Sequence, residues 1–126
     1  MKPLQRDAGN TDKMTINTVE GKDGALVSLS GNVDIDSSPN LRDQLLALLR
    51  SRNTRKVTID LSAVTKIDSS GFATLIEALK IARAAKTELR LQGLHDALLR
   101  MVELTGLVSL FNGNSQTITR SGREVV

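Results

Sequence analysis

The chain has 126 residues and a formal charge of +3, from 17 basic and 14 acidic side chains. That length suits one domain with tails and lets roughly two-thirds of the unfolded chain's surface be buried. With two Phe, no Trp, no Tyr and no Cys, the core has to be aliphatic, and disulfides and thiolate metal sites are excluded.

No apolar run approaches the ~20 residues of a membrane span, and the polar start is unlike a signal peptide. A cytoplasmic protein without a membrane partner is expected. The basic residues Arg42, Arg50, Arg52, Arg55, Lys56, Lys80, Arg83, Lys86 and Arg90 are spread over helices and loops. Without stacking aromatics they read as solvated faces rather than a nucleic-acid interface.

In chain order, residues 1–13 are polar, turn-rich and without periodicity, as in a disordered leader. Met14, Ile16 and Thr18, then Ala25, Val27 and Leu29, alternate with polar neighbours around the turn Gly21-Lys22-Asp23-Gly24, which predicts a hairpin. Ser38 is the expected N-cap of a helix with Pro39 at its first position, and Leu41, Leu45, Leu48 and Leu49 fall on one face. Val57, Ile59 and Leu61 predict a third strand, with Ser62 to Asp68 as a short link.

A second helix opens near Ser70 with the apolar stripe Phe72, Leu75, Ile76, Leu79 and Ala82. Leu89 and Leu91 mark a fourth strand. A third helix runs from about His95 to Thr105, with Leu98, Met101, Val102 and Leu104 as core positions and Gly106-Leu107 as its stop. Val108 to Phe111 is either a short closing strand or an apolar plug, and residues 112–126 form a partly ordered tail. The order β-β-α-β-α-β-α implies an α/β fold, with parallel strands joined by right-handed crossovers and a leading hairpin that makes the sheet mixed.

The residues argue against an enzyme. His95 is the lone histidine and no Gly-x-Ser-x-Gly elbow surrounds Ser69 or Ser70, so a hydrolytic triad has no base. Asp34 and Asp36, with Asp60 or Asp68, have the oxygen ligands a hard cation needs, but acids before a helix start explain them more simply. Phosphate-binding glycine fingerprints and other cofactor motifs are missing. A phospho-receiver domain would need an acidic pair after its first strand and a lysine after a late strand, whereas this chain opens with a hairpin and places Lys86 in a helix.

What remains is Asp68-Ser69-Ser70-Gly71. A hydroxyl at a helix entrance meets unpaired N–H groups and the positive dipole end. Spacing alone allows an ordinary N-cap or a phosphorylated serine.

Here a resemblance enters. The stretch from Val57 to Gly71, VTIDLSAVTKIDSSG, resembles the hallmark of STAS domains, most of all bacterial anti-sigma factor antagonists. The likeness spans about residues 14–111, including Ser30-Gly31-Asn32-Val33-Asp34 and Leu104-Thr105-Gly106-Leu107. It implies a mixed sheet of four to five strands with three to four helices.

It further implies a non-catalytic partner-switching regulator of transcription. The unphosphorylated form captures an anti-sigma serine kinase of histidine-kinase-like ATPase fold, phosphorylation of Ser69 ends capture, and a serine phosphatase restores it. The resemblance places Asp34, Asp68, Ser69, Ser70 and Gly71 at the partner-binding surface; Phe72 is expected at its rim or just under it, and Ser70 is read as the structural cap. The run Gly71-Phe72-Ala73-Thr74 departs from the Gly-Leu-Gly that commonly follows the serines. A second STAS group, subunits that bind the ATPase of lipid-transport ABC systems, is the alternative.

Overall fold

The computed structural model describes residues 13–22, 24–51, 54–105, 117–120 and 123–124. The hairpin is β1 (Thr15–Glu20) and β2 (Gly24–Val33), paired antiparallel from Thr15↔Ser30 to Glu20↔Ala25. Helix α1 (Ser38–Leu49) leads to β3 (Lys56–Ile67), which lies parallel to β2. Helix α2 (Ser69–Ala85) leads to β4 (Glu88–Gln92), parallel to β3, and then comes α3 (Asp96–Thr105). The fold is the expected mixed α/β arrangement in the order β-β-α-β-α-β-α.

Beyond these elements, β5 (Thr117–Arg120) pairs parallel with β4 through Arg90↔Thr117 and Leu91↔Ile118. The two-residue β6 (Arg123–Glu124) turns back on β5. The added strand therefore comes from residues read in the sequence as tail. The Gly106-Leu107 stop and Val108 to Phe111 lie outside the described residues.

Alternation decides which face of the sheet is covered. Ala25, Val27, Leu29 and Val33 of β2, Val57, Ile59 and Leu61 of β3, and Leu89 and Leu91 of β4 are all buried. They join Leu41, Leu45, Leu48 and Leu49 of α1, Phe72, Leu75, Leu79 and Ala82 of α2, and Leu98 and Leu99 of α3 in one aliphatic cluster. The reverse face carries half-buried Ser28, Ser30, Thr58 and Asp60. Between the helices, Arg42 Nε and Nη2 donate to the Glu77 carboxylate at 2.8 and 2.7 Å, an exposed forked pair that fixes alignment more than it adds stability.

Three details differ from the sequence reading. First, β3 runs on to Ile67, so Asp68 alone separates it from the serines. Its register against β2 slips between Ser28 and Ser30 and again between Gly31 and Asn32, with β3 holding the extra residue each time. The buried positions therefore change from every second residue (57, 59, 61) to every third (64, 67), which hides a bulged strand from a period-two reading. Second, the helix starts at Ser38, so Ser37 is the N-cap residue and its side chain makes no cap hydrogen bond. Third, Leu104 is 81% exposed rather than core. Leu98 and Leu99 cover the sheet, and the amphipathic stripe turns away from the core before Leu104. The side chains of Met101 and Val102 lie outside the described set.

Two substitutions test this packing by urea denaturation. Leu45→Ala should cost about 2–5 kcal/mol, the range for emptying a closed aliphatic site. Leu104→Ala should change stability by less than about 0.5 kcal/mol.

Candidate functional site

The ends of β2 and β3 place Asp34 and Asp68 side by side in the sheet's register, each one residue beyond its strand. The pairing Val33↔Ile67 holds the two ends together, and the Asp68 N–H donates to the Val33 carbonyl at 3.1 Å. C-terminal ends of parallel strands are where α/β folds present binding groups.

Asp68 caps α2. Its Oδ1 accepts from the Ser70 N–H at 2.9 Å, the Gly71 N–H at 3.1 Å and the Ser70 hydroxyl at 2.6 Å. The Ser70 hydroxyl, with help from the Gly71 N–H and then the N–H groups of Ser70 and Ile35, holds the Asp68 carboxyl below the usual carboxylate range. The cap is thus Asp68, and Ser70 is its donor rather than the cap itself. An oxygen at that position accepts two of the orphan helix donors, whereas a hydroxyl inside the first turn has already passed them.

Ser70 is tied a second time, its Oγ lying 3.3 Å from Ser38 Oγ, which in turn donates to the Asp34 carbonyl at 2.6 Å. Ser69 differs on every count. It is exposed, it occupies the first helical position, and its hydroxyl has no hydrogen-bond partner among the described residues. The two adjacent serines are sorted by geometry into one bound and one free.

Asp34 organises the neighbouring turn. Its Oδ1 accepts from the N–H groups of Asp36 at 3.0 Å and Ser37 at 3.1 Å, while Oδ2 accepts from Asn32 Nδ2 at 3.1 Å. The Ser37 hydroxyl receives the Asp34 N–H at 2.9 Å. Asp60 likewise accepts from the Ser62 N–H at 2.9 Å. These carboxylates are thus engaged with N–H donors, and among the described residues no three His, Cys, Asp or Glu side chains are arranged to hold a metal. His95 lies apart from the serines, with Nε2 3.0 Å from the Val64 carbonyl.

Gly71 and Phe72 sit beneath the surface. A Cβ on Gly71 would stand 2.6 Å from Ile67 Cγ1 and 3.0 Å from the Val33 carbonyl oxygen. Phe72, expected at the rim of the partner-binding surface or just under it, is only 6% exposed and packs into the core, the second of those places. A cleft of about 370 Å³ opens beside the carboxylates, lined by Asn32, Asp34, Thr65, Lys66, Ile67, Asp68 and Leu98. The sequence reading took Ser38 as a helix cap and left Asn32 and Ser37 without a role at the site; all three make hydrogen bonds across the turn. That reading also missed Ile35, which is 72% exposed. An aliphatic residue that extends the alternation of β2 past its end reads as buried, and its signal lay only in its polar neighbours Asp34, Asp36 and Ser37.

A family model described as "Mlab, STAS domain" matches residues 16–111. The chain belongs to the STAS family. An anti-sigma-B factor antagonist of Staphylococcus aureus is 31% identical over 91 residues, covering 72% of this chain and 83% of that protein. A protein of the same name from Staphylococcus epidermidis is 27% identical over 104 residues, covering 82% and 95%. The crystal structure of an anti-sigma factor antagonist from Mycobacterium paratuberculosis superposes with a TM-score of 0.67 at 26% identity, covering 80% of this chain and 85% of that one. Unphosphorylated SpoIIAA, at 11% identity and a TM-score of 0.62 over 73% and 83% of the two chains, shares the fold. Among the described residues no helix is long and apolar enough to cross a membrane.

Two variants test the site's construction. Gly71→Ala should lose about 1–3 kcal/mol in urea denaturation, because the new methyl meets a carbonyl that cannot move alone. Asp68→Asn keeps an acceptor at the cap and removes the charge. A carboxyl whose folded pKa is lowered stabilises above its unfolded value of about 3.9 and loses that contribution as pH falls through the lower folded value. Wild type should therefore lose more stability than Asp68→Asn between about pH 5 and pH 2, read as the shift of the urea midpoint.

Proposed function

We propose that this STAS protein is an anti-sigma factor antagonist, which captures an anti-sigma serine kinase while Ser69 is unmodified and releases it when Ser69 carries phosphate. The observation that carries this reading is the free, exposed Ser69 hydroxyl beside a capped, hydrogen-bonded Ser70. The names of the relatives support the same role. The partners would be a kinase of histidine-kinase-like ATPase fold and a serine phosphatase, and the protein itself would catalyse nothing.

The switch needs phosphate to change the surface without unfolding the domain. At the first helical position a phosphate adds about −1.5 to −2 charges where N–H groups and the dipole favour an anion. The kinase, in contrast, has to bring an acceptor for the hydroxyl proton to Ser69, commonly a carboxylate. After transfer that group faces the product phosphate. At ~6 Å and an effective dielectric of ~20, repulsion is about 2.8 kcal/mol per pair of unit charges, or about a hundredfold in affinity.

The departure at Gly71-Phe72-Ala73 favours keeping one other STAS reading in view, a subunit that binds the ATPase of a lipid-transport ABC system. One assay separates them. The protein is incubated with ATP and, in turn, each purified histidine-kinase-like serine kinase encoded in its genome, and the site is read by mass spectrometry. Phosphate should appear on Ser69, vanish in Ser69→Ala and persist in Ser70→Ala. Ser69→Glu should weaken kinase binding at least about tenfold while shifting the melting temperature little. Absence of labelling by every such kinase, with tight binding to a transporter ATPase, would establish the alternative. Unfolding of Ser69→Glu would show that Ser69 is structural.

A further inference from the structure

We infer that Ile35 is the apolar specificity determinant of the kinase-docking surface, and that the docked partner offers it an apolar pocket rimmed by Lys or Arg side chains. The inference rests on the partner-switching reading of Ser69.

Four aliphatic side chains are large and exposed among the described residues: Val19, Leu26, Ile35 and Leu104. Val19 and Leu26 are a cross-strand pair in the hairpin, and Leu104 lies near the end of α3. Ile35 alone of the four belongs to the turn that meets the α2 entrance, with its N–H turned toward the Asp68 carboxylate.

The turn that presents Ile35 is built to hold still. Asp34 accepts from the N–H groups of Asp36 and Ser37 on one side of it, and the Asp34 N–H donates back to the Ser37 hydroxyl. Asp34 is further held by Asn32. The Ser38 and Ser37 N–H groups close the turn on the Asp34 carbonyl at 2.8 and 3.2 Å. A branched aliphatic side chain left in water on a turn pinned at both sides is preorganised for burial by a partner, because little ordering cost remains at docking.

The surroundings specify the partner's chemistry. Asp34 and Asp36 flank Ile35 in the chain, its N–H faces the Asp68 carboxylate, and the cleft beside Asp34 and Asp68 carries Lys66. An apolar centre inside a charged rim is the usual anatomy of a docking surface, the centre setting the dissociation rate and the rim the encounter rate. A partner with acidic groups around its pocket would be repelled, and one with basic groups would be steered in. This attraction at the rim is compatible with release by phosphate, since the repelling group is the single one aimed at the Ser69 hydroxyl.

The test uses the full chain and the kinase that labels Ser69. Ile35→Ser should weaken capture at least about tenfold, chiefly through faster dissociation, while Ile35→Leu largely restores it. Val19→Ser should bind within about twofold of wild type, and all three variants should melt within a few degrees of it. Asp36→Asn should flatten the fall of association rate with added salt. If Ile35→Ser binds its Ser69-labelling kinase within twofold of wild type, the inference is overturned and the switching reading stands. If no kinase labels Ser69, the switching reading fails first and this one with it.

Discussion

The structure turns on how closely the first turn of α2 approaches the ends of β2 and β3. Gly71 has no room for a side chain against Val33 and Ile67, and the Asp68 N–H is fastened to the Val33 carbonyl. That contact brings two strand ends, separated by a whole helix in the chain, within one hydrogen-bonded cluster. It sets the Asp68 cap against the Asp34 turn, and it lets Ser70 reach Ser38 while Ser69 remains in solvent. Phe72 then seals the cluster from below. Every group of the candidate site depends on that one approach.

A modifiable hydroxyl at a helix entrance meets conflicting demands. It has to sit where an anion is tolerated, yet it must not be the group that holds the helix. The chain resolves this with two serines and an aspartate. Asp68 accepts from Ser70 and Gly71 and leaves Ser69 uncommitted. The capping charge lies next to the serine proposed for modification but depends on a different residue, so modification there would be separable from stability.

Much of this was legible in the sequence, and the misses share a physical cause. Strands β1, β2 and β4 and the buried stripes of α1 and α2 follow simple periods, so Leu45 or Leu79 could be placed by spacing alone. The end of β3 could not, because two extra residues shift Val64 and Ile67 out of alternation. Leu104 follows the helical period but overshoots the sheet that α3 covers. At the site, residue types pointed to Asp34 and Asp68 to Gly71, but the assignment of cap and donor between Asp68 and Ser70 depends on which oxygen reaches which N–H. Ile35 was hidden for the opposite reason: it continues the strand's pattern after the strand has ended.

The parallel pairing has a consequence for how the chain acquires its surface. The hairpin of β1 and β2 closes locally, but Gly24↔Lys56 and Lys56↔Glu88 join residues about thirty positions apart, and such contacts have to overcome loop-closure entropy before they stabilise anything. Asp34 belongs to the earlier half of that process and Ser69 to the later. A chain caught before β2 and β3 meet carries the same hydroxyl, with neither the cap beside it nor the rim around it. On the proposed reading, a partner that recognises the assembled edge would read completion of the fold as well as the identity of a serine, and a half-folded chain would be silent rather than wrongly active.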